Sequence, residues 1–120
     1  MKNLLEQANA LRDELIRHRR HIHQNAETGF DIPKTKKYIT KCLEEMGYTP
    51  EECGKAGIKA EVGAGEKTVL LRADTDALPI KEETSLPYAA SQNMHACGHD
   101  MHTAMLLGAA KILKEKESKF

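Results

Sequence analysis

Residues 94–102 read Met-His-Ala-Cys-Gly-His-Asp-Met-His, which places three histidines, one cysteine and one aspartate within the eight positions from 95 to 102. Cysteine thiolate and neutral imidazole are ligands that zinc and similar divalent ions prefer. Cys97 and His99 stand two apart in an extended loop, so both side chains can point to one side, and Gly98 adds no bulk between them. The stretch therefore predicts a metal site at Cys97 and His99.

Two other interpretations of this loop stay open. Taken one at a time, Cys97 fits a small buried thiol and the histidines fit polar groups at a helix start. A nucleophilic Cys97 would need a base, but in Cys-His pairs the histidine normally comes from a distant part of the chain. The number of ligand types in so short a stretch favours metal binding over both.

Helical spacing of apolar residues predicts three helices around this loop. Downstream, the apolar residues between Ala104 and Ile112 predict a buried helix, and Asp100 is well placed to cap it. Upstream, the pattern from Leu4 to about His23 predicts a helix with one face against a core. Another helix is expected to begin at Pro33 and to end at Gly47.

The first of these helices ends in a basic run, Arg19-Arg20-His21-Ile22-His23. Basic side chains near a helix C-terminus interact favourably with the helix dipole. This interaction explains the run without any further purpose, so we assign it no catalytic role.

Strand patterns lie between the second and third helices. Residues 58–62 alternate apolar and polar, and they lead through Gly-Ala-Gly at 63–65 to Thr-Val-Leu-Leu at 68–71. The pattern predicts a β-hairpin whose second strand is buried on both faces. That strand runs towards Asp74 and Asp76, which share one face of the extended chain and precede Pro79. Carboxylates at the end of a central strand are typical of an active centre in an α/β sheet, although Asp is also common in polar turns.

Composition excludes several classes of partner. Eighteen basic residues balance eighteen acidic residues, so no net charge attracts nucleic acid or an anionic membrane. No apolar run is long enough to span a bilayer, and the N-terminus, with Lys2 and Asn3, lacks the pattern of a signal peptide, which indicates a cytoplasmic protein. Three scattered cysteines fit a reducing compartment.

Three segments together resemble the amidohydrolase branch of the aminoacylase, hippurate hydrolase and auxin-conjugate hydrolase family of metallopeptidases. They are residues 19–30, which include Arg-Arg-His-Ile-His and Glu-Thr-Gly-Phe; residues 71–79, Leu-Arg-Ala-Asp-Thr-Asp-Ala-Leu-Pro; and residues 94–104, which contain Cys-Gly-His-Asp. One departure is Ala26, where the family usually has proline before Glu27, and no ligand depends on this position.

The resemblance implies an α/β fold, the N-terminal part of a zinc-peptidase-like catalytic domain with helices packed on a mostly parallel central sheet. It implies that Cys97 and His99 bind metal, that Asp74 and Asp76 lie at the catalytic centre, and that nearby polar groups support the ligands. The supporting groups are Asp100 and His102. The implied cofactors are two divalent ions (Zn, Mn or Co), and the implied substrate is a small N-acyl amino acid.

The family's remaining parts do not follow Phe120. These parts are a strand with adjacent glutamates, a lid or dimerisation domain, and further histidine ligands. We therefore expect residues 1–120 to be an N-terminal portion of the catalytic domain with little or no activity alone, and the complete enzyme to be able to form a homo-oligomer. A non-catalytic metal-binding or partner-binding module is the alternative, and a thiol-dependent enzyme using Cys97 is a weaker one.

Overall fold

The computed structural model describes residues 3–120, so Lys2, used above in interpreting the N-terminus, lies outside the described residues. In chain order the elements are α1 (Leu4–Ala10), α2 (Arg12–Gln24), α3 (Pro33–Glu45), β1 (Glu51–Cys53), β2 (Gly57–Lys59), α4 (His99–Glu115) and a short 3-10 helix (Glu117–Lys119). The second and third predicted helices are confirmed as α3 and α4. The first predicted helix is present but divided at Leu11 into α1 and α2.

Helices α2, α3 and α4 enclose the core. Its buried members are Ile22, Ile39, Cys42, Leu43, Tyr48 and Leu107. Helices α2 and α4 lie so close that a Cβ added at Gly108 would come within 2.6 Å of a Leu15 methyl carbon. The Tyr48 hydroxyl donates a hydrogen bond to the Ala110 carbonyl at 2.6 Å, which ties the end of α3 to α4. The close packing of α2 on α4 brings the end of α2 to the histidine-rich loop at the start of α4.

The predicted hairpin is wrong in its position. The observed antiparallel pair is β1 with β2, in which Cys53 lies opposite Gly57. Gly54 adopts φ +64° in the connection, a conformation that costs glycine little. Residues 68–71 form no strand, and Val69 and Leu70 are 85% and 84% exposed.

The difference has a physical reason. A strand buried on both faces needs neighbouring strands for its backbone hydrogen bonds and elements above and below for its side chains. Among residues 3–120 no strand pairs with 68–71. The mostly parallel central sheet therefore stays a prediction. Within the same described range, no helix has the length and apolar character needed to cross a membrane.

Candidate metal centre

Backbone hydrogen bonds join the three motif segments at one place. The Ala77 N–H donates to the Glu27 carbonyl at 2.6 Å, and Leu78 exchanges two hydrogen bonds with Met94 at 3.0 and 3.1 Å. The segment that follows Asp76 is therefore held between the loop after α2 and the start of the histidine-rich loop. This arrangement brings Asp74 and Asp76 to the N-terminal end of α4.

His99 is oriented by Asp76. Its Nδ1 lies 2.8 Å from the Asp76 carbonyl oxygen and 3.1 Å from the Asp76 carboxylate oxygen Oδ1. Both neighbours are acceptors, so Nδ1 carries the proton of the neutral ring and Nε2 keeps its lone pair. Nε2 lies 3.7 Å from Asp74 Oδ2. A histidine held in this way presents Nε2 as the free ligand atom, an arrangement typical of metal-binding histidines.

Cys97 also lies near Asp76. Its thiol is exposed, and Sγ lies 3.9 Å from the Asp76 carbonyl oxygen that also contacts His99. Gly98 has φ +85° and is the N-cap of α4, which lets the chain turn between the two predicted ligands. Cys97 and His99 thus both contact the Asp76 carbonyl oxygen, and their role as metal ligands stays a prediction.

The neighbouring carboxylate is anchored in a different way. Asp74 forms an ion pair with Arg72, and its carbonyl oxygen accepts a hydrogen bond from the Thr103 hydroxyl on α4 at 3.0 Å. Among residues 3–120, no three His, Cys, Asp or Glu side chains are arranged to hold a metal ion. The described part of the chain therefore offers two donors of the right type, with two carboxylates beside them.

Asp100 and His102 have different surroundings. Asp100 is fully buried, and its Oδ1 accepts a hydrogen bond from the Met101 N–H at 2.9 Å. The prediction that Asp100 caps α4 is wrong, because Gly98 is the N-cap and Asp100 lies inside the first turn. His102 is exposed, and its ring lies 5.8 Å from the His99 ring, centroid to centroid.

Sequence reasoning missed the residues that hold Asp100. Its Oδ2 accepts hydrogen bonds from Arg19 Nε at 2.7 Å and from His23 Nδ1 at 2.8 Å. His23 Nε2 in turn lies 2.7 Å from Glu82 Oε1. The interpretation that the basic end of α2 needs no partner beyond the helix dipole is wrong. One signal could have found the pair, since Arg19 and His23 are four apart and share a helix face next to buried Ile22.

Known proteins share the motif segments described above. Residues 70–120, which contain Asp74, Asp76, Cys97 and His99, match the model of peptidase family M20/M25/M40. Over this segment the chain resembles the M20/M25/M40 peptidases. The predicted resemblance is thereby confirmed.

Similarity to known enzymes extends over nearly the whole chain. It is 49% identical over 113 residues to the N-acetyl-L-cysteine deacetylase of Bacillus subtilis, an alignment that covers 89% of this chain and 27% of that protein. It is 46% identical to the hippurate hydrolase of Campylobacter jejuni, with 92% of this chain and 30% of that protein covered. The chain thus spans about 30% of the length of these relatives.

A solved structure supports the fold. The Bacillus subtilis YXEP protein, a dinuclear metal-binding peptidase of the M20 family, matches with a TM-score of 0.83 and 38% identity. The match covers 92% of this chain and 33% of that one. The α/β fold class predicted from the sequence is confirmed.

His95 is a further buried group beside the candidate metal centre. It is 3% exposed, and neither ring nitrogen has a hydrogen-bond partner among residues 3–120. Burial lowers the pKa of His95 below its ordinary value. The neutral ring is therefore the form that the folded chain favours.

Acidification is expected to destabilise the fold through His95. Below the ordinary histidine pKa of about 6.5, the unfolded chain binds a proton that the folded chain resists, so this contribution to stability is full above that pH and is lost as pH falls. One such group changes the free energy of unfolding by at most about 1.4 kcal/mol per pH unit. Urea unfolding across this range, on the natural chain and a His95→Leu variant, measures the slope. Equal slopes for the two chains would contradict the prediction.

Proposed function

We propose that this chain carries part of the active centre of a metal-dependent amidohydrolase that cleaves the amide bond of N-acyl amino acids. Support comes from the match of residues 70–120 to the M20/M25/M40 peptidase family and from the chain's similarity to an N-acetyl-L-cysteine deacetylase and a hippurate hydrolase. Because the chain spans about 30% of those proteins, the proposal concerns the activity of the whole protein.

One observation carries the proposal. His99 Nδ1 lies within hydrogen-bond distance of two oxygens of Asp76, while Nε2 lies 3.7 Å from Asp74 Oδ2 and has no hydrogen bond of its own among residues 3–120. Cys97 is two residues away in the chain. A thiolate and an imidazole nitrogen are a donor set that suits Zn, Mn or Co ions, so the residues present fit the cofactor. A chain using these residues only for packing would not need His99 to be oriented so that a ring nitrogen is left free.

Each residue then has a role. Cys97 and His99 bind the ion, and Asp76 orients His99 and raises its basicity. Asp74, at the other side of the imidazole, contributes a carboxylate to the catalytic centre. Asp100 and His102 support this loop. Two divalent ions in the complete centre would supply Lewis-acid activation of water and of the amide carbonyl.

The proposal extends to the organisation of the whole protein. Residues 1–120 would be the N-terminal portion of the catalytic domain, and the remaining ligands and the lid or dimerisation domain would come from elsewhere in the complete enzyme. Its substrate would be a small N-acyl amino acid, with no nucleic-acid or membrane partner and with self-association through the lid domain. The three unpaired cysteines suit a cytoplasmic location.

Replacing Cys97 by serine tests the metal site. We expect Cys97→Ser to weaken Co²⁺ binding by more than about 100-fold, because loss of a direct ligand should exceed the 10- to 100-fold cost of losing a group behind one. Calorimetric titration with Co²⁺ measures the affinity of each 120-residue chain, and thiolate-to-cobalt charge-transfer absorption in the natural chain identifies a cysteine ligand. Cys53→Ser is the matched control, because Cys53 is equally exposed but lies in β1.

Hydrolysis separates the enzyme from its alternative. A panel of N-acetyl and N-benzoyl amino acids is offered to the 120-residue chain and to a longer chain read from the same frame. Turnover by the longer chain that disappears with Cys97→Ser supports the amidohydrolase. Metal binding at Cys97 without turnover by either chain would favour the non-catalytic metal-binding module. Charge-transfer absorption that survives in Cys97→Ser would overturn the metal site itself.

A further inference from the structure

A buried chain of hydrogen-bonded groups runs from the loop after Pro79 to the first turn of α4. We define the carboxylate relay as Glu82, His23 and Asp100, in that order. All three are buried, at 8%, 2% and 0% exposure. Their contacts are short, 2.7 Å from Glu82 Oε1 to His23 Nε2 and 2.8 Å from His23 Nδ1 to Asp100 Oδ2.

The central imidazole of the relay has an acceptor at each nitrogen. Nδ1 of His23 faces Asp100 Oδ2 and Nε2 faces Glu82 Oε1, so each ring nitrogen lies within hydrogen-bond distance of a carboxylate oxygen. Arg19 Nε adds a second side-chain hydrogen bond to Asp100 Oδ2, at 2.7 Å. Buried charges need such pairing, and a buried ion network that is fully paired holds its members in one geometry.

Each end of the relay is fixed to a different segment. Glu82 also accepts hydrogen bonds from the Thr84 hydroxyl and from the Ala90 N–H, the latter at 3.1 Å. Burial acts to raise the pKa of Glu82, but the hydrogen bonds from Thr84, Ala90 and His23 lower it below its ordinary value. At the other end, Asp100 follows His99 directly in α4.

We propose that His23 is a positioning residue for the loop that contains Cys97 and His99, because it holds Asp100 and through it the Cys97-Gly98-His99 turn. The proposal rests on the proposed function, because it takes Cys97 and His99 as metal ligands. The physical reason is that Asp100 is close to the ligands in the chain. It is one residue from His99 and two from the αL glycine at the N-cap of α4, so fixing Asp100 restricts the backbone of the ligand turn. If the first turn of α4 is mobile, binding an ion has to order Cys97 and His99. The free-energy cost of this ordering lowers the affinity for the ion.

Two substitutions at His23 separate the two halves of the relay. In His23→Asn, the side-chain amide nitrogen takes the place of Nδ1 and can still donate to Asp100. In His23→Gln, it takes the place of Nε2 and can still donate to Glu82. Both substitutions remove the ring and one hydrogen bond. If His23 only stabilised the fold, the two variants should therefore lose the same Co²⁺ affinity. The proposal predicts unequal losses of affinity, because only the Asn side chain still donates a hydrogen bond to Asp100.

The test measures Co²⁺ affinity through the Cys97 charge-transfer absorption in the two variants. We expect His23→Gln to weaken binding by about 10- to 100-fold, as loss of groups behind a ligand does, and His23→Asn to weaken it by less than about 3-fold. Urea unfolding of both variants measures what each loses in stability. Equal losses of affinity in the two variants, or a greater loss in the Asn variant, would overturn the proposal.

A second measurement applies even if the chain binds no metal. The N–H groups of Met101 and His102 both donate to the Gly98 carbonyl at 3.1 Å, so their hydrogen-exchange rates report the order of this turn. We expect faster exchange at these two amides in His23→Gln than in His23→Asn. Absence of Co²⁺ binding by the natural chain would count against the proposed function alone, whereas equal exchange in the two variants would refute the positioning role.

Discussion

Replacing Asp100 by alanine lowers the free energy of unfolding by about 3–5 kcal/mol, the cost of removing one partner from a buried ion pair. Asp100 is fully buried and accepts hydrogen bonds from Arg19 and His23. Without its carboxylate, the His23 ring loses one of its two carboxylate contacts, and Arg19 keeps its contacts with the Tyr88 hydroxyl, at 2.9 Å, and with the Tyr88 ring. Urea unfolding followed by circular dichroism measures the change.

Asp13→Ala is the matched control for this prediction. Asp13 is also an aspartate in the first turn of a helix, but its side chain is 88% exposed and its contact with Arg12 is 3.8 Å long. Exposed ion pairs contribute little, so we expect the control to change the free energy of unfolding by less than about 0.5 kcal/mol. If Asp100→Ala costs no more than Asp13→Ala, the network around Asp100 does not stabilise the folded chain.

The helices could be predicted from the sequence because their signals are local. Pro33 suits the first turn of α3, the apolar stripe through Ile39 and Leu43 faces the core, and Gly47 follows the helix. The proximity of Cys97 and His99 could also be predicted from the sequence, because two residues in one short loop need no distant contact to come together. Local chemistry at a spacing of two to four residues therefore gave both α3 and the candidate ligands.

The contacts that hold Asp100 left no such local pattern. Arg19 and Asp100 are 81 residues apart, and His23 and Glu82 are 59 apart. Glu82 lies in a polar stretch that has the composition of an exposed loop, although its side chain is fully buried. Only the packing of α2 against α4 and the hydrogen bonds of Ala77 and Leu78 bring these groups together. A long-range pairing of charges cannot be inferred from periodicity.

At residues 68–71 a local pattern was present, but it predicted the wrong structure. A run of Val, Leu and Leu has the propensity of a buried strand, but propensity does not supply the neighbouring strands that burial requires. In the described chain these side chains face solvent, and such a run of exposed apolar residues is unusual for a surface. Whether it is buried in solution can be measured.

Leu107→Ala and Leu70→Ala make the same chemical change at two sites that the structure distinguishes. Leu107 is 3% exposed and belongs to the core between α2, α3 and α4, whereas Leu70 is 84% exposed. We expect Leu107→Ala to lower the free energy of unfolding by about 2–5 kcal/mol, because it leaves a cavity among close-packed side chains. Leu70→Ala should change it by less than about 0.5 kcal/mol. Urea unfolding of both variants beside the natural chain gives the two values.

The two variants also test whether residues 68–71 are buried, as the sequence pattern predicted, or exposed, as in the structure. Dilution of the natural chain before unfolding tests whether any cost at Leu70 depends on association, since an interface between copies weakens as concentration falls. A cost at Leu70 close to that at Leu107, and independent of concentration, would mean that residues 68–71 are buried within one chain, as their sequence predicted. A small cost at Leu70 beside a large one at Leu107 means that the three-helix core stabilises the chain without this segment, which leaves residues 68–71 free to pair with other strands.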